Sequence, residues 1–316
     1  MSDTCVILLN MGGPTNGDEV KPFLRALFAD PDLIQFPLKR VLAPLIVSMR
    51  TPKVRRRYAQ IEGGSPLLRM TQAQADSLAR ALNREGSFKF EVLVGMRYTS
   101  PSISEALERS RELGCHRIIG LSMYPQYCRS TTGSSLAELE RAAGLLSGIS
   151  PIRVIDRYFD RSAYLDAQAA GIETVIKRMH GEPFVLFSAH GVPVRMVEEG
   201  DPYVGEIEAT VAGVVERLAL AGDRWELSYQ SRVGPVRWVG PASDEVIEDL
   251  AARSVTDLVI VPISFTADCL ETLYDIEIVL AGKARAAGIP RVERVPALND
   301  SQAFIEALAE LVREVG

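Results

Sequence analysis

Cysteine, histidine and tryptophan are all scarce in this chain, with four, three and two copies in 316 residues. The cysteines stand at 5, 115, 128 and 269 without a C-x-x-C pair, so neither a disulfide framework nor a structural zinc site is expected. Long apolar runs are missing too. Val41–Met49 is uncharged over nine residues, whereas a membrane-spanning helix needs about 18. The chain passes directly from Met1–Cys5 into an apolar run, with no basic region or small-residue cleavage site of a secretory signal. Both features point to a reducing cytoplasm. A basic excess is absent: 35 Lys+Arg against 41 Asp+Glu give a net charge of -6, which argues against a nucleic-acid coat. The G-x-G-x-x-G and G-x-x-x-x-G-K-[ST] phosphate-binding patterns do not occur at strand ends, so a nucleotide cofactor is not expected.

What is present is a regular alternation. Short apolar, β-branched runs mark strands at Cys5–Asn10, Lys89–Gly95, Arg117–Met123, Ile152–Ile155, Phe184–Ala189, Trp225–Tyr229, Leu258–Ile263 and Arg291–Val295. Most are continuous rather than alternating, as befits parallel strands covered on both faces. Longer amphipathic stretches between them predict helices, among them Pro66–Asn83, Ser102–Leu113, Asp160–Met179, Tyr203–Leu220, Ser243–Ala252, Asp268–Ala287 and Asp300–Val315. The class is α/β with parallel sheets. A faint internal echo divides it: Arg117–Met123 and Leu258–Ile263 each run into a loop bearing aromatic and hydroxyl groups and then a helix. Two four-stranded halves with a boundary near 155–160 follow. Ligands of such folds bind beyond the carboxyl ends of the strands.

One stretch breaks the alternation. Asp32–Met49 is dense in apolar residues, and Arg50, Lys53, Arg55, Arg56 and Arg57 follow at once. An apolar surface rimmed by cations suits an amphiphilic ligand or a membrane face; a core helix followed by a solvated one is the plainer reading.

Of the three histidines, only His190 ends a strand candidate; His116 and His180 read as surface residues. An imidazole at a strand tip can take a proton or bind a borderline metal. The second candidate site lies after Leu258–Ile263, where Glu271 and Asp275, four residues apart, share a helix face. Two stacked carboxylates can relay protons or meet a cation, although acidic residues also favour helix starts. Aromatic residues (Tyr58, Tyr98, Tyr124, Tyr127, Trp238, Phe265 and Tyr274) recur near the same mouth and could sandwich a broad flat ligand.

These residues lie in segments that resemble the ferrochelatase family almost end to end. The segments are Leu8-Leu9-Asn10-Met11-Gly12-Gly13-Pro14, Arg50-Thr51-Pro52-Lys53, Gly63-Gly64-Ser65-Pro66, Arg97-Tyr98, Tyr124-Pro125-Gln126-Tyr127, Ser130-Thr131-Thr132-Gly133-Ser134, Ser188-Ala189-His190-Gly191, Gly200-Asp201-Pro202-Tyr203, Gln230-Ser231-Arg232-Val233-Gly234-Pro235 and Glu271-Thr272-Leu273-Tyr274. Each alone is weak; together and in order they are specific. The resemblance implies two similar Rossmann-like, chelatase-type domains (1–157 and 158–298), each a four-stranded parallel sheet flanked by helices. It further implies a porphyrin cleft between them and a C-terminal helix, 299–316, packed back on the first. It implies a lyase that inserts Fe(II) into a porphyrin to make heme, releasing two pyrrole protons. His190 and Glu271 then match the family's pair around the metal, with Asp275 one turn on. Arg97, Tyr98, Tyr58, Trp238 and Phe265 match cleft-lining positions, Leu27 and Leu33 an apolar lip, and Arg50, Lys53 and Arg97 are candidates for the propionates. Met11 resembles the branch that uses protoporphyrin IX; the coproporphyrin III branch typically has tyrosine nearby. Cys269 stands where relatives often have histidine. The chain ends at Gly316 without a cysteine-rich tail and carries Arg129 at the internal cluster position, so no iron–sulfur cluster and no permanently bound cofactor is expected.

The expected partners are protoporphyrin IX and Fe(II), not nucleic acid. The expected place is the cytoplasm, with peripheral membrane contact through the 33–49 lip. Two other readings stay open at this stage. One is a cobalt or nickel chelatase for a sirohydrochlorin-type ring, which would demand more cations in the cleft. The other is a non-catalytic tetrapyrrole carrier, which would need an axial ligand but no paired acid.

Overall fold

The computed structural model describes residues 3–31, 39–84, 89–179, 181–232, 234 and 236–316, with the backbone alone described at 39–41. The chain divides into two compact units, Met1–Arg157 with Asn299–Gly316, and Tyr158–Leu298.

The first unit begins with β1 (Thr4–Asn10), α1 (Val20–Ala29), α2 (Lys39–Tyr58), α3 (Leu67–Leu82), β2 (Phe90–Met96), α4 (Ile103–Glu112) and β3 (Arg117–Ser122). A π-helix, Arg129–Gly133, leads into α5 (Ser134–Leu145), and β4 (Ile152–Ile155) follows. Its sheet is wholly parallel in the order β2-β1-β3-β4. Every residue of β1 is buried, because a central parallel strand is covered on both faces and cannot carry a polar one. Successive side chains alternate between the faces. Cys5, Ile7 and Leu9 therefore join Ile103 and Leu107 of α4 and Leu139 of α5 in one core, while Val6 and Leu8 are buried on the other face, where α3 packs. A capping box, Ser102 with Glu105, starts α4.

The second unit repeats the plan. It contains α6 (Ser162–Ile176), β5 (Phe184–His190), α7 (Val194–Glu198), α8 (Tyr203–Leu218), β6 (Trp225–Gln230), α9 (Ser243–Ala252) and β7 (Asp257–Val261). A second π-helix, Glu271–Leu280, then passes into α10 (Ala281–Ala286) and β8 (Arg291–Arg294). The sheet is again parallel, in the order β6-β5-β7-β8. Phe184 and Leu186 of β5 and Leu258 and Ile260 of β7 pack against α9, the π-helix and α10. The last helix, α11 (Gln302–Val315), belongs to the first unit, where it packs on α3 and β4.

The eight strands expected from the sequence are all found, with ends moved by a residue or two. Two helical expectations change. The single α-helix expected over Asp268–Ala287 is a π-helix followed by a short α-helix. Its buried residues, Thr272, Ile276 and Leu280, recur every fourth position, a spacing that the wider i→i+5 helix keeps on one face. The apolar stretch and the basic run also fall partly on one helix, since α2 carries both. Leu33, Ile34, Phe36 and Leu38 lie outside the described residues, as does His180.

Candidate active site

In the second unit the candidate residues gather at the carboxyl end of the sheet. His190 is the last residue of β5 and pairs with Gln230, the last of β6. Its backbone is fixed from two sides: its N–H donates to Ser264 Oγ (3.0 Å), and its carbonyl accepts from the Tyr203 hydroxyl (3.0 Å). Ring Nδ1 lies 2.8 Å from the Gly191 carbonyl. A carbonyl only accepts, so Nδ1 carries the hydrogen and donates it. The Nε2 lone pair is then the one available to a proton or a metal. Phe265 meets the imidazole edge to face, with centroids 6.4 Å apart.

The turn after His190 is equally constrained. Val194 N–H donates to Arg237 O, Val239 N–H to Val192 O, and Pro193 bridges Trp238. A Cβ on Gly191 would come within 2.9 Å of Gln230 O and 3.4 Å of Trp238 Cε3. The glycine thus lets the turn pass close to the indole, and Trp238 lies beside the residue that follows His190.

Glu271 opens the π-helix that follows the Ser264–Phe265 loop. A tight frame surrounds its start. The Thr272 hydroxyl donates to Asp268 Oδ1 (2.8 Å) and accepts from Cys269 N–H (3.0 Å). The Arg294 guanidinium, nearly buried, reaches both Asp268 Oδ1 and Glu277 Oε2 at 2.9 Å. Burial, and then the adjacent Glu271 carboxylate, push the Cys269 thiol well above its ordinary value. In the free protein Cys269 is thus a buried thiol packed in the core. Asp275 shares the π-helix with Glu271, and Ser231, next to Gln230, donates to its Oδ2 at 3.4 Å.

The first unit has the same strand plan but different chemistry. Asn10 ends β1 where His190 ends β5, and its amide donates to Thr71 Oγ1 (3.1 Å). Arg129 opens the π-helix after β3 where Glu271 opens the one after β7. An amide and a guanidinium thus replace an imidazole and a carboxylate. Of the two arrangements described, it is the second unit's that combines a strand-end imidazole with a carboxylate opening the π-helix.

The remaining candidates lie in the first unit. Met11 donates its N–H to the Tyr124 hydroxyl (3.2 Å) and accepts from Tyr98 N–H (3.0 Å), while Arg97 N–H donates to Asn10 O. The tips of β1 and β2 so bring Met11, Arg97 and Tyr98 together. Phe23 of α1, the helix of half-buried Leu27, meets Tyr98 edge on. Asp30, which ends α1 and is only 3% exposed, gathers three donors on Oδ2: Arg97 Nη2 (2.9 Å), the Tyr98 hydroxyl (2.6 Å) and the Ser134 hydroxyl (2.5 Å). Arg97 Nε also donates to Ser134. Burial first, then Asp30, raise the Tyr98 phenol, which stays protonated. A buried carboxylate needs such partners to offset its desolvation. Arg97, read as a propionate partner, is thus bonded inward to Asp30. Tyr58 is buried. Arg50 lies over the Phe28 ring at 5.8 Å, and burial followed by Arg57 lowers its pKa. Lys53 is exposed on α2. Leu33 is outside the described residues. A cavity of about 520 Å³ in this unit, lined by Thr15, Ser65 and Arg69 among others, contains none of these candidates.

Sequence reasoning missed Asp30, Ser134, Ser264, Tyr203, Gln230 and Arg294. Ser134, Tyr203 and Gln230 fall within the family-like segments and Ser264 within the hydroxyl-bearing loop after the strand; Asp30 and Arg294 carried no local signal.

Comparison with known proteins gives the family and the fold. The sequence model of the Ferrochelatase family matches residues 3–315. A ferrochelatase of Geobacter metallireducens is 42% identical over 99% of this chain and 98% of its own length. One of Synechococcus elongatus is 44% identical over 98% of this chain and 81% of its own. Among solved structures, SirB from Bacillus subtilis with Fe3+ superposes with a TM-score of 0.59, covering 99% of this chain and 95% of that one at 13% identity. CbiX, described as the terminal enzyme for biosynthesis of siroheme in denitrifying bacteria, gives 0.54 at 12% identity, covering 99% of each chain. At such identities these two speak for the two-sheet chelatase fold alone.

Proposed function

The chain belongs to the ferrochelatase family, metal-inserting porphyrin chelatases classed as lyases, and from that premise we propose that it inserts Fe(II) into protoporphyrin IX. The observation that carries this reading is the imidazole of His190, tethered through Nδ1 to Gly191 O so that Nε2 is the acceptor. A free-base porphyrin must lose two pyrrole protons as the ion enters. Nε2 of His190 takes one of them. Glu271, with Asp275 further along the same helix, attracts the cation and handles protons. Phe265 beside His190 and Trp238 beside Gly191 grip the macrocycle, so that binding energy at its periphery bends it and turns its nitrogens toward iron.

Two features support protoporphyrin IX over coproporphyrin III. Met11 follows β1 where the other branch typically has tyrosine nearby. Arg97 is already neutralised by Asp30, which leaves Arg50 and Lys53 for a ring with few carboxylates. A sirohydrochlorin-type ring, richer still in carboxylates, fits less well. No iron–sulfur cluster enters this reading, since Arg129 holds the internal position. Anaerobic insertion assays with both porphyrins test the choice: kcat/KM is expected to be at least about tenfold higher for protoporphyrin IX, a margin of roughly 1.4 kcal/mol in transition-state binding. A preference for coproporphyrin III would reverse it.

We also infer that the protein works in the cytoplasm and touches the inner face of the membrane. Leu42, Leu45 (59% exposed) and Met49 (72% exposed) project from α2 at helical spacing, with exposed Lys53 and Arg56 further along the helix. Among the described residues no helix is long and apolar enough to cross a membrane; contact would be by partial insertion. The protein should float with vesicles containing anionic lipid, and the double variant Leu45→Glu, Met49→Glu should stay at the bottom of the gradient. Equal flotation of both would remove the inference.

A further inference from the structure

Gln230 holds an unusual position. It ends β6 directly opposite His190 of β5, and residues opposed on adjacent strands project to the same face of a sheet. Its backbone is used, since its carbonyl accepts from Gly191 N–H. Its side chain is not. The residue is only 7% exposed, yet neither Nε2 nor Oε1 has a hydrogen-bonding partner among the described residues. Native proteins rarely leave a buried carboxamide unpaired at both ends, because each orphaned group has given up its water for nothing. Ser231, held at a left-handed φ of +68°, directs its hydroxyl at Asp275. Gln230 therefore sits between His190 on the neighbouring strand and Ser231, the residue that reaches the helix bearing the carboxylates.

A carboxamide does not ionise near neutral pH, so Gln230 cannot share the work of a base. It can accept through Oε1 and donate through Nε2. The core of a free-base porphyrin offers the complementary set, two N–H donors and two lone-pair nitrogens. We propose that the Gln230 carboxamide is a substrate-binding group that hydrogen-bonds the porphyrin core beside His190. This rests on the proposed role of His190 in taking a pyrrole proton. The amide, without a partner among the described residues, is satisfied by the porphyrin.

Gln230→Met tests this, being close in shape and lacking both polar ends. The thermal midpoint should hold or rise, since the orphaned groups are gone. KM and the fluorescence-measured Kd for protoporphyrin IX should rise about tenfold, the equivalent of one net hydrogen bond, while KM for Fe(II) stays within about twofold. A purely structural residue would instead lower the midpoint and disturb both substrates. Parent-like porphyrin binding in a folded Gln230→Met protein overturns the proposal. Should that variant not fold, the side-chain amide resonances of Gln230 in the parent protein serve, assigned by their loss in Gln230→Glu. They should shift on adding protoporphyrin IX, and unmoved resonances overturn the assignment. Normal insertion by His190→Ala would instead remove the proton-accepting role, so the two failures are told apart.

Discussion

His190→Ala should lose iron insertion by about 10²–10⁴-fold in kcat, the range that a positioned general base supplies, while its unfolding midpoint stays close to the parent's. The two halves of this expectation come from different atoms. The fold at this point is held by the backbone: the ladder to Gln230, the N–H to Ser264 Oγ and the carbonyl from the Tyr203 hydroxyl. Alanine keeps all three. The imidazole contributes its Nδ1 bond to Gly191 O and an edge contact with Phe265, and the first serves mainly to aim Nε2. Removing the ring therefore takes away the proton acceptor without unlatching the strand. Added imidazole should restore part of the rate, which lost positioning alone would not allow. Insertion followed anaerobically by porphyrin absorbance is the measurement, and undiminished turnover would end the assignment of His190 as base.

The legible and illegible parts of the sequence separate along a physical line. β1 and β5 could be read because a parallel strand covered on both faces must be apolar at nearly every position, and Cys5–Leu9 and Phe184–Ala189 meet that demand locally. His190 could be read because it breaks such a run at its carboxyl end. The π-helix could not: Glu271–Leu280 has apolar spacing that an α-helix also accepts, and the choice between them is made by packing. Asp30 could not either. Its partners Arg97, Tyr98 and Ser134 lie 67 to 104 positions away, and only the tertiary fold makes that carboxylate buried and polyvalent. The same contact explains why Arg97 reads as a ligand for an anion in sequence and is found already holding one. Gln230 is the converse case. Its register opposite His190 is a property of the ladder, invisible until β5 and β6 are aligned.

Glu271→Gln carries the second large expectation, a loss in insertion rate on the order of 10²-fold or more with porphyrin binding retained. The exchange is nearly isosteric, and the side-chain bonds that fix the start of its helix are made by other residues. Asp268, Thr272 and Arg294 lock the start of the π-helix through one another, so the backbone that presents residue 271 should not move. What changes is charge. A unit charge about 4 Å away is worth roughly 4 kcal/mol at an effective dielectric of 20. A divalent ion feels twice that before competing water is counted, and an amide returns little of it. Asp275→Asn should lose less, because Asp275 already shares its Oδ2 with the Ser231 hydroxyl. The variant also separates an enzyme from a carrier. A protein that only held heme would use an axial ligand and be indifferent to this carboxylate, so Glu271→Gln would bind tetrapyrrole and behave as the parent in every assay. A chelatase must draw a hydrated cation out of water and into a ring that is losing two protons, and a carboxylate that opens the helix after β7 is a group suited to that exchange. Porphyrin that binds but stays free of metal is the outcome that this chemistry requires.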